Sequence, residues 1–217
     1  MIVNDTKVFK ARLNAFKPSG GKVEILIERK IDKFNALVMT KSNRPLKDND
    51  LLYIGNSEIS VRVVKKQEYL CTVQFSEDME EVIEKFGSLP LPPYFKREPA
   101  KEDYVRYQTV YANQKNERST AAPTAGLHFE NSLLKKIKNK GVNLASITLD
   151  IGLGTFKPVT ENDISKHKMH SEKIFLSDNA SELINTAIQS KSRIISVGTT
   201  SLRCVEAIYQ EFVLLEL

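Results

Sequence analysis

From Lys22 to about Phe75 apolar residues alternate with polar ones in short runs, the two-residue period of strands that bury one face. Lys22-Val-Glu-Ile-Leu-Ile-Glu-Arg29, Asn35-Ala-Leu-Val-Met39, Ile59-Ser-Val-Arg-Val-Val64 and Tyr69-Leu-Cys-Thr-Val-Gln-Phe75 are the clearest. Turn chemistry separates them: Pro18-Ser-Gly-Gly21 before the first run, Asp48-Asn-Asp50 and Gly55-Asn56 further on. Strands this short and closely spaced predict a small antiparallel barrel or sandwich. A helix from Met79 to Phe86, with Gly87 as its stop, closes the region. Leu89-Pro-Leu-Pro-Pro-Tyr94 then reads as a stiff, extended connector.

Beyond Asp103 the period lengthens. Phe129, Leu133, Leu134 and Ile137 share a helical face that Gly141 ends, and Val142 to Ile151 reads as a buried strand. Asn179-x-x-Glu182 is a capping box opening a helix with Leu183, Ile184, Ala187 and Ile188 on one side. Ile194 to Val197 is a second short buried strand, and Gly198-Thr-Thr-Ser201 turns it into a helix beginning near Leu202. Strands alternating with helices favour a parallel α/β layer.

Composition narrows the class. The 217 residues are 41% apolar and 27% charged, close to globular averages, which argues against a disordered chain, and the lack of periodic glycine excludes a collagen-like one. That length allows one large domain or two small ones. No window reaches the roughly 20 apolar residues of a membrane helix. Met1-Ile-Val-Asn-Asp-Thr-Lys lacks the basic and apolar blocks of a secretory signal. Cys71 and Cys204 stand far apart with no C-x-x-C, the usage of a reduced cytosolic protein without structural zinc. The net charge of +5 permits a polyanionic partner such as RNA without demanding one.

Four segments are candidates for chemistry. Leu149-Asp-Ile-Gly-Leu-Gly-Thr155 is a strand running into D-x-G-x-G, the nucleotide loop of a Rossmann methyltransferase in generic reading. That loop needs a helix at once, and Pro158 instead favours an extended path, although close backbone approach to a ligand remains open. Gly198-Thr-Thr-Ser201 offers amides and hydroxyls to a carboxylate, a phosphate or ribose, or else simply caps its helix. Thr120-Ala-Ala-Pro-Thr-Ala-Gly-Leu-His128 leaves room beside an imidazole, yet taken alone His128 reads as a hydrogen-bonded structural residue. His167-x-x-His170-x-Glu172 invites a metal, but no further ligand is indicated and none is expected.

Together these segments carry a resemblance. In order along the chain stand Val3-Asn-Asp-Thr-Lys-Val8, Ala11-Arg-Leu13, Gly20-Gly-Lys-Val-Glu-Ile25, Leu89-Pro-Leu-Pro-Pro-Tyr94 and Tyr107-Gln-Thr-Val-Tyr-Ala112. Ala121-Ala-Pro-Thr-Ala-Gly-Leu-His-Phe129, Gly152-x-Gly-Thr-Phe-x-Pro-Val159, Met169-His-Ser-Glu172 and Val197-Gly-Thr-Thr-Ser201-x-Arg203 follow. From about Ile2 to Glu206 the chain resembles the S-adenosylmethionine:tRNA ribosyltransferase-isomerases of queuosine biosynthesis.

The resemblance implies an α/β domain with an inserted small antiparallel β-barrel, here 1–10 and 88–217 around 11–87. It implies S-adenosylmethionine as a ribosyl donor, with no metal, and as acceptor 7-aminomethyl-7-deazaguanine in a tRNA anticodon. The products are epoxyqueuosine-tRNA, adenine and methionine. Such a site must take a proton beside the sulfonium, help adenine leave and orient the nucleophile. His128 and His170 are the candidate bases, with Glu172 a partner for one of them. Gly152, Gly154, Thr155, Thr199 and Thr200 are candidates to bind the donor, and Arg203 to hold its carboxylate or an RNA phosphate. Lys7, Arg12 and Lys22 are candidates to meet the anticodon backbone.

Two departures carry expectations. Asp150 stands where the family places a histidine before its glycine motif, exchanging a proton donor and acceptor for a carboxylate. Family members are also longer at both ends, so the α/β part is expected to be incomplete and activity weak or lost. Separately encoded flanking fragments are then candidate partners; a tRNA-binding remnant without catalysis and, across classes, a Rossmann methyltransferase are the alternative readings. The chain is expected in the cytoplasm, with no membrane association.

Overall fold

The computed structural model describes residues 1–67, 69–152 and 172–215, with 211–215 described by their backbone. In chain order the strands are β1 (Ile2–Asn4), β2 (Lys7–Val8), β3 (Arg12–Phe16), β4 (Lys22–Lys30), β5 (Asn35–Ser42), β6 (Leu51–Ile54), β7 (Ser60–Gln67) and β8 (Leu70–Phe75). Helices α1 (Met79–Phe86) and α2 (Asp103–Arg106) precede β9 (Glu117–Ser119), and α3 (Asn131–Asn139) precedes β10 (Ala145–Leu149). Then come β11 (Ile174–Phe175), α4 (Asp178–Gln189) and α5 (Gly198–Leu215). Two compact units result: Met1–Val8, Lys101–Ile151 and 172–215 in one, Phe9–Ala100 and Gly152 in the other.

The second unit is a closed antiparallel barrel in the order β3-β4-β5-β8-β7-β6, with β6 returning to β3 through Ala15↔Ile54 and Phe16↔Tyr53. Alternation fills it: on β4, Val23, Ile25 and Ile27 point into the core, while Lys22 and Glu24 point out. Each such aliphatic side chain contributes roughly 1.5–3 kcal/mol when fully buried. Closure removes the sheet edges that would otherwise pair with other chains. Asp78 caps α1 by accepting from the Glu80 amide at 2.9 Å, and the helix buries Met79, Val82 and Ile83. It ends at Gly87, where a Cβ would run into the Ile83 carbonyl and the Lys10 backbone.

Leu89–Tyr94 departs from the expected connector. Leu89, Pro90, Leu91 and Pro92 are buried, and Pro93–Phe95 form one 3-10 turn. Arg12 draws the segment in by donating from Nη2 to the Leu91 carbonyl at 3.2 Å. Prolines suit that path because they leave fewer amide donors to satisfy when buried.

In the first unit, β1 runs parallel to β10 (Ile2↔Ala145, Asn4↔Ile147), and β11 pairs antiparallel on the other side of β10 (Leu149↔Ile174). A parallel pair joins β2 to β9. Helices α4 and α5 pack on β10, and α5 also on β1. This is an α/β unit with an antiparallel barrel inserted after β2. Three local expectations are corrected. Ile194–Val197 is no buried strand: Ser196 makes a single bridge to Ile2, and Ile195 is 51% exposed. The cap of α4 is Ser177, accepting from the Ala180 amide, two residues before the expected Asn179 box, and Ile188 faces outward. Helix α5 starts at Gly198, a turn earlier than expected. Gly198 takes φ +82°, which glycine adopts without a Cβ penalty.

Candidate active site

The C-terminal end of β10 is held by a buried polar clasp. Asn4, fully buried, accepts from the Leu149 amide (3.0 Å) and the Thr6 amide (3.1 Å), and donates to the Leu149 carbonyl (3.2 Å). Thr148 donates from Oγ1 to Asp5 at 2.6 Å, and Asn116 donates to both of them. Ser119 Oγ accepts from the Ile151 amide at 2.8 Å, and Thr120 Oγ1 donates to the Ile151 carbonyl at 3.0 Å. Asn4-Asp5-Thr6, read above only as part of a motif, is thus a scaffold. It fixes where the chain leaves the sheet, the usual place for α/β sites.

Asp150 lies between these anchors. Its amide donates to the Lys173 carbonyl at 3.0 Å, and its Oδ1 is buried without a hydrogen-bond partner among the described residues. Burial holds the carboxyl above the usual carboxylate range, against the pull of Arg118 and Lys173. The Arg118 guanidinium lies 4.8 Å from the Phe175 ring centroid, a cation–π contact.

A second cluster joins two segments that the sequence leaves 73 residues apart, at Ala125 and Gly198. A Cβ at Gly198 would lie 2.7 Å from Ala125 Cβ, so the start of α5 sits against the 3-10 turn Thr124–Gly126. Tyr111 closes over Gly126, its hydroxyl pushed up to about 12 by burial. His128 is exposed, its ring centroid 4.4 Å from that of buried Phe129, and it makes no hydrogen bond within the described residues. The structural, hydrogen-bonded reading of His128 is therefore corrected. Thr199 is exposed, Thr200 half-buried, and Ser201 fully buried, its Oγ without a hydrogen-bond partner among the described residues.

Glu172 and Arg203 pair at 2.7 Å, the glutamate side chain 4% exposed and the arginine 37%. Glu172 accepts from Arg203 and so orients its guanidinium. Cys204, next in sequence, is fully buried, and its thiol is pushed up to about 12 by burial and by the Glu172 carboxylate, against Arg203. Gly154, Thr155, His167 and His170 lie outside the described residues. Among the described residues no group of three or more His, Cys, Asp or Glu could hold a metal.

The three candidate RNA contacts differ. Lys7 Nζ is held by Gln114 (2.7 Å) and Glu117 (3.1 Å). Arg12, bound to the Leu91 carbonyl, also lies 3.6 Å from Glu24. Lys22 is exposed. One residue escaped sequence reading altogether: Glu28, whose carboxylate lies against Gly152. No local pattern marks it, because the approach joins positions far apart in the chain. Among the described residues no helix is long and apolar enough to cross a membrane.

Comparison with known proteins adds to this geometry. A protein of Polynucleobacter necessarius named S-adenosylmethionine:tRNA ribosyltransferase-isomerase is 43% identical over 210 residues, 95% of this chain and 60% of that protein. One of the same name from Legionella pneumophila (strain Lens) is 44% identical over 207 residues, again 95% and 60%. The crystal structure of S-adenosylmethionine tRNA ribosyltransferase from Thermotoga maritima matches with 20% identity and a TM-score of 0.36, over 96% of this chain and 54% of that one. The chain thus spans about 60% of the length of the curated relatives it matches. The family model described as "Queuosine biosynthesis protein" matches residues 1–214, and the chain belongs to that family.

Proposed function

We propose that this chain is a tRNA ribosyltransferase-isomerase. It moves and isomerises the ribosyl group of S-adenosylmethionine onto 7-aminomethyl-7-deazaguanine in tRNA, giving epoxyqueuosine-tRNA, adenine and methionine. The observation that carries the reading is the match to relatives of that name over 95% of the chain. With these substrates it acts in the cytoplasm. In this reading an α/β domain of 1–10 and 88–217 surrounds a barrel domain of 11–87.

The residues take the following roles. His128, exposed beside the Thr124–Gly126 turn, takes the proton from the carbon next to the sulfonium. Asp150 keeps its proton more readily than an ordinary carboxyl, which suits donation to the departing adenine. Thr199 and Thr200 at the start of α5 meet the donor, and Arg203, oriented by Glu172, holds its carboxylate or an RNA phosphate. His170 is the second candidate base, Gly152, Gly154 and Thr155 bind the donor, and Lys22, Lys7 and Arg12 meet the RNA backbone.

Incubating the chain with labelled S-adenosylmethionine and precursor tRNA tests the proposal. Release of adenine and methionine supports it. RNA binding without release means a binding remnant, and label appearing as a methyl group on RNA means a methyltransferase; either overturns it. His128→Ala and Arg203→Ala should each lower turnover at least tenfold, about 1.4 kcal/mol of barrier, whereas Cys204→Ser should not.

A further inference from the structure

Two separate features of the barrel unit converge on one carboxylate. β4 pairs with β5 through Ile27↔Val38 and then Arg29↔Leu37, so Glu28 is the extra residue of a β-bulge. A bulge interrupts strand alternation and re-aims the side chain it carries, and bulges concentrate beside functional sites. Ile25 and Ile27, before it on the strand, are fully buried in the barrel, whereas Glu28 is half-buried. Its carboxylate is set against Gly152, where a Cβ would stand 2.5 Å from Oε1 and 3.3 Å from Cδ. Gly152 is not among the glycines with positive φ, so backbone conformation does not require a glycine there. Space does, because Glu28 fills the place of a side chain.

We infer that Glu28 is a positioning residue whose carboxylate fixes Gly152, the first glycine of the proposed donor-binding loop. The inference rests on the reading of that loop given under Proposed function. A carboxylate can act as a strong, charge-assisted acceptor for a backbone amide, and a closed barrel is a rigid base from which to present it. Gly152 thereby takes its place from a strand and not from its own sequence neighbours. Sterically, Gly152→Ala collides with the far end of a flexible side chain, so the substitution displaces the Glu28 carboxylate and leaves the barrel intact.

The test compares the wild-type chain with Glu28→Ala, Glu28→Gln, Gly152→Ala and the Glu28→Ala/Gly152→Ala double variant. Two readouts are used: S-adenosylmethionine affinity by calorimetry, and the amide exchange rate of Gly152 in a 15N-glycine-labelled chain without ligand. The Gly152 signal is assigned by its loss in Gly152→Ala. Each single alanine variant should weaken affinity at least fivefold, the double variant no more than twofold beyond either, with thermal midpoints unchanged. Gly152 exchange should rise at least tenfold in Glu28→Ala and less in Glu28→Gln, which keeps one acceptor oxygen. Multiplying losses in the double variant, or unchanged exchange in Glu28→Ala, overturns the inference. If the wild-type chain binds no S-adenosylmethionine, the functional reading falls, and Gly152 exchange alone decides the role of Glu28.

Discussion

Replacing Asn4 by Ala isolates the clasp at the end of β10. The side chain makes three hydrogen bonds between 3.0 and 3.2 Å from a fully buried position. Its loss leaves the buried amides of Leu149 and Thr6 without that acceptor, whereas the Leu149 carbonyl keeps the Ser119 hydroxyl at 3.4 Å. Two orphaned buried donors cost about 1–2 kcal/mol each, so the expected loss is about 3 kcal/mol, a large share of an ordinary domain's stability. Two free, buried cysteines provide the assay, one in each unit: Cys204 in the α/β unit and Cys71 in the barrel. In the native chain at pH 8 both thiols should react slowly, since burial raises both above the usual thiol range. When opening is fast relative to modification, labelling follows the open population. Asn4→Ala should then speed labelling of Cys204 about a hundredfold, at roughly 1.4 kcal/mol per decade, with Cys71 as the internal reference. A rise at Cys204 of less than about fivefold would refute the clasp as a source of stability.

Three further outcomes are expected. Burial raises the Asp150 carboxyl, so its contribution is fully present below its unfolded value near 3.8 and is lost as pH rises through the higher folded value. Asp150→Asn should therefore stabilise the chain at pH 7, and urea melts should show that gain shrinking as pH falls towards 3.8. Gly126→Ala drives a Cβ into the Tyr111 hydroxyl and against Thr109, an overpacking that should cost about 1–3 kcal/mol in the same melts. If the chain binds tRNA electrostatically, Lys22→Ala should reduce the slope of log affinity against log salt by about 1. Lys7→Met should change it less, because Lys7 is already held by Glu117 and Gln114; equal slopes would place both on the RNA.

Local structure is legible in the amino-acid pattern. Alternation on β4, β5, β7 and β8 specified strands because inward and outward positions differ by one residue. The same near-neighbour logic located α1 with its Gly87 stop and α3 with Gly141, and an ordered set of motifs spread along the chain named the family. Where two local signals competed, as at Ser177 and Asn179 before α4, packing chose between caps of similar strength. Ile194–Val197 has the composition of a buried strand, but strand character needs a partner, and Ser196 finds only one bridge to Ile2. Tertiary structure alone decided which polar residues became scaffold and which stayed exposed. Asn4 meets Leu149 across 145 residues, Lys7 meets Glu117 across 110, and Glu172 claims Arg203. Glu28 reaches Gly152 only because a bulge in β4 shifts its register by one. Such contacts depend on how distant strands pair, and no periodicity within a few residues carries that information.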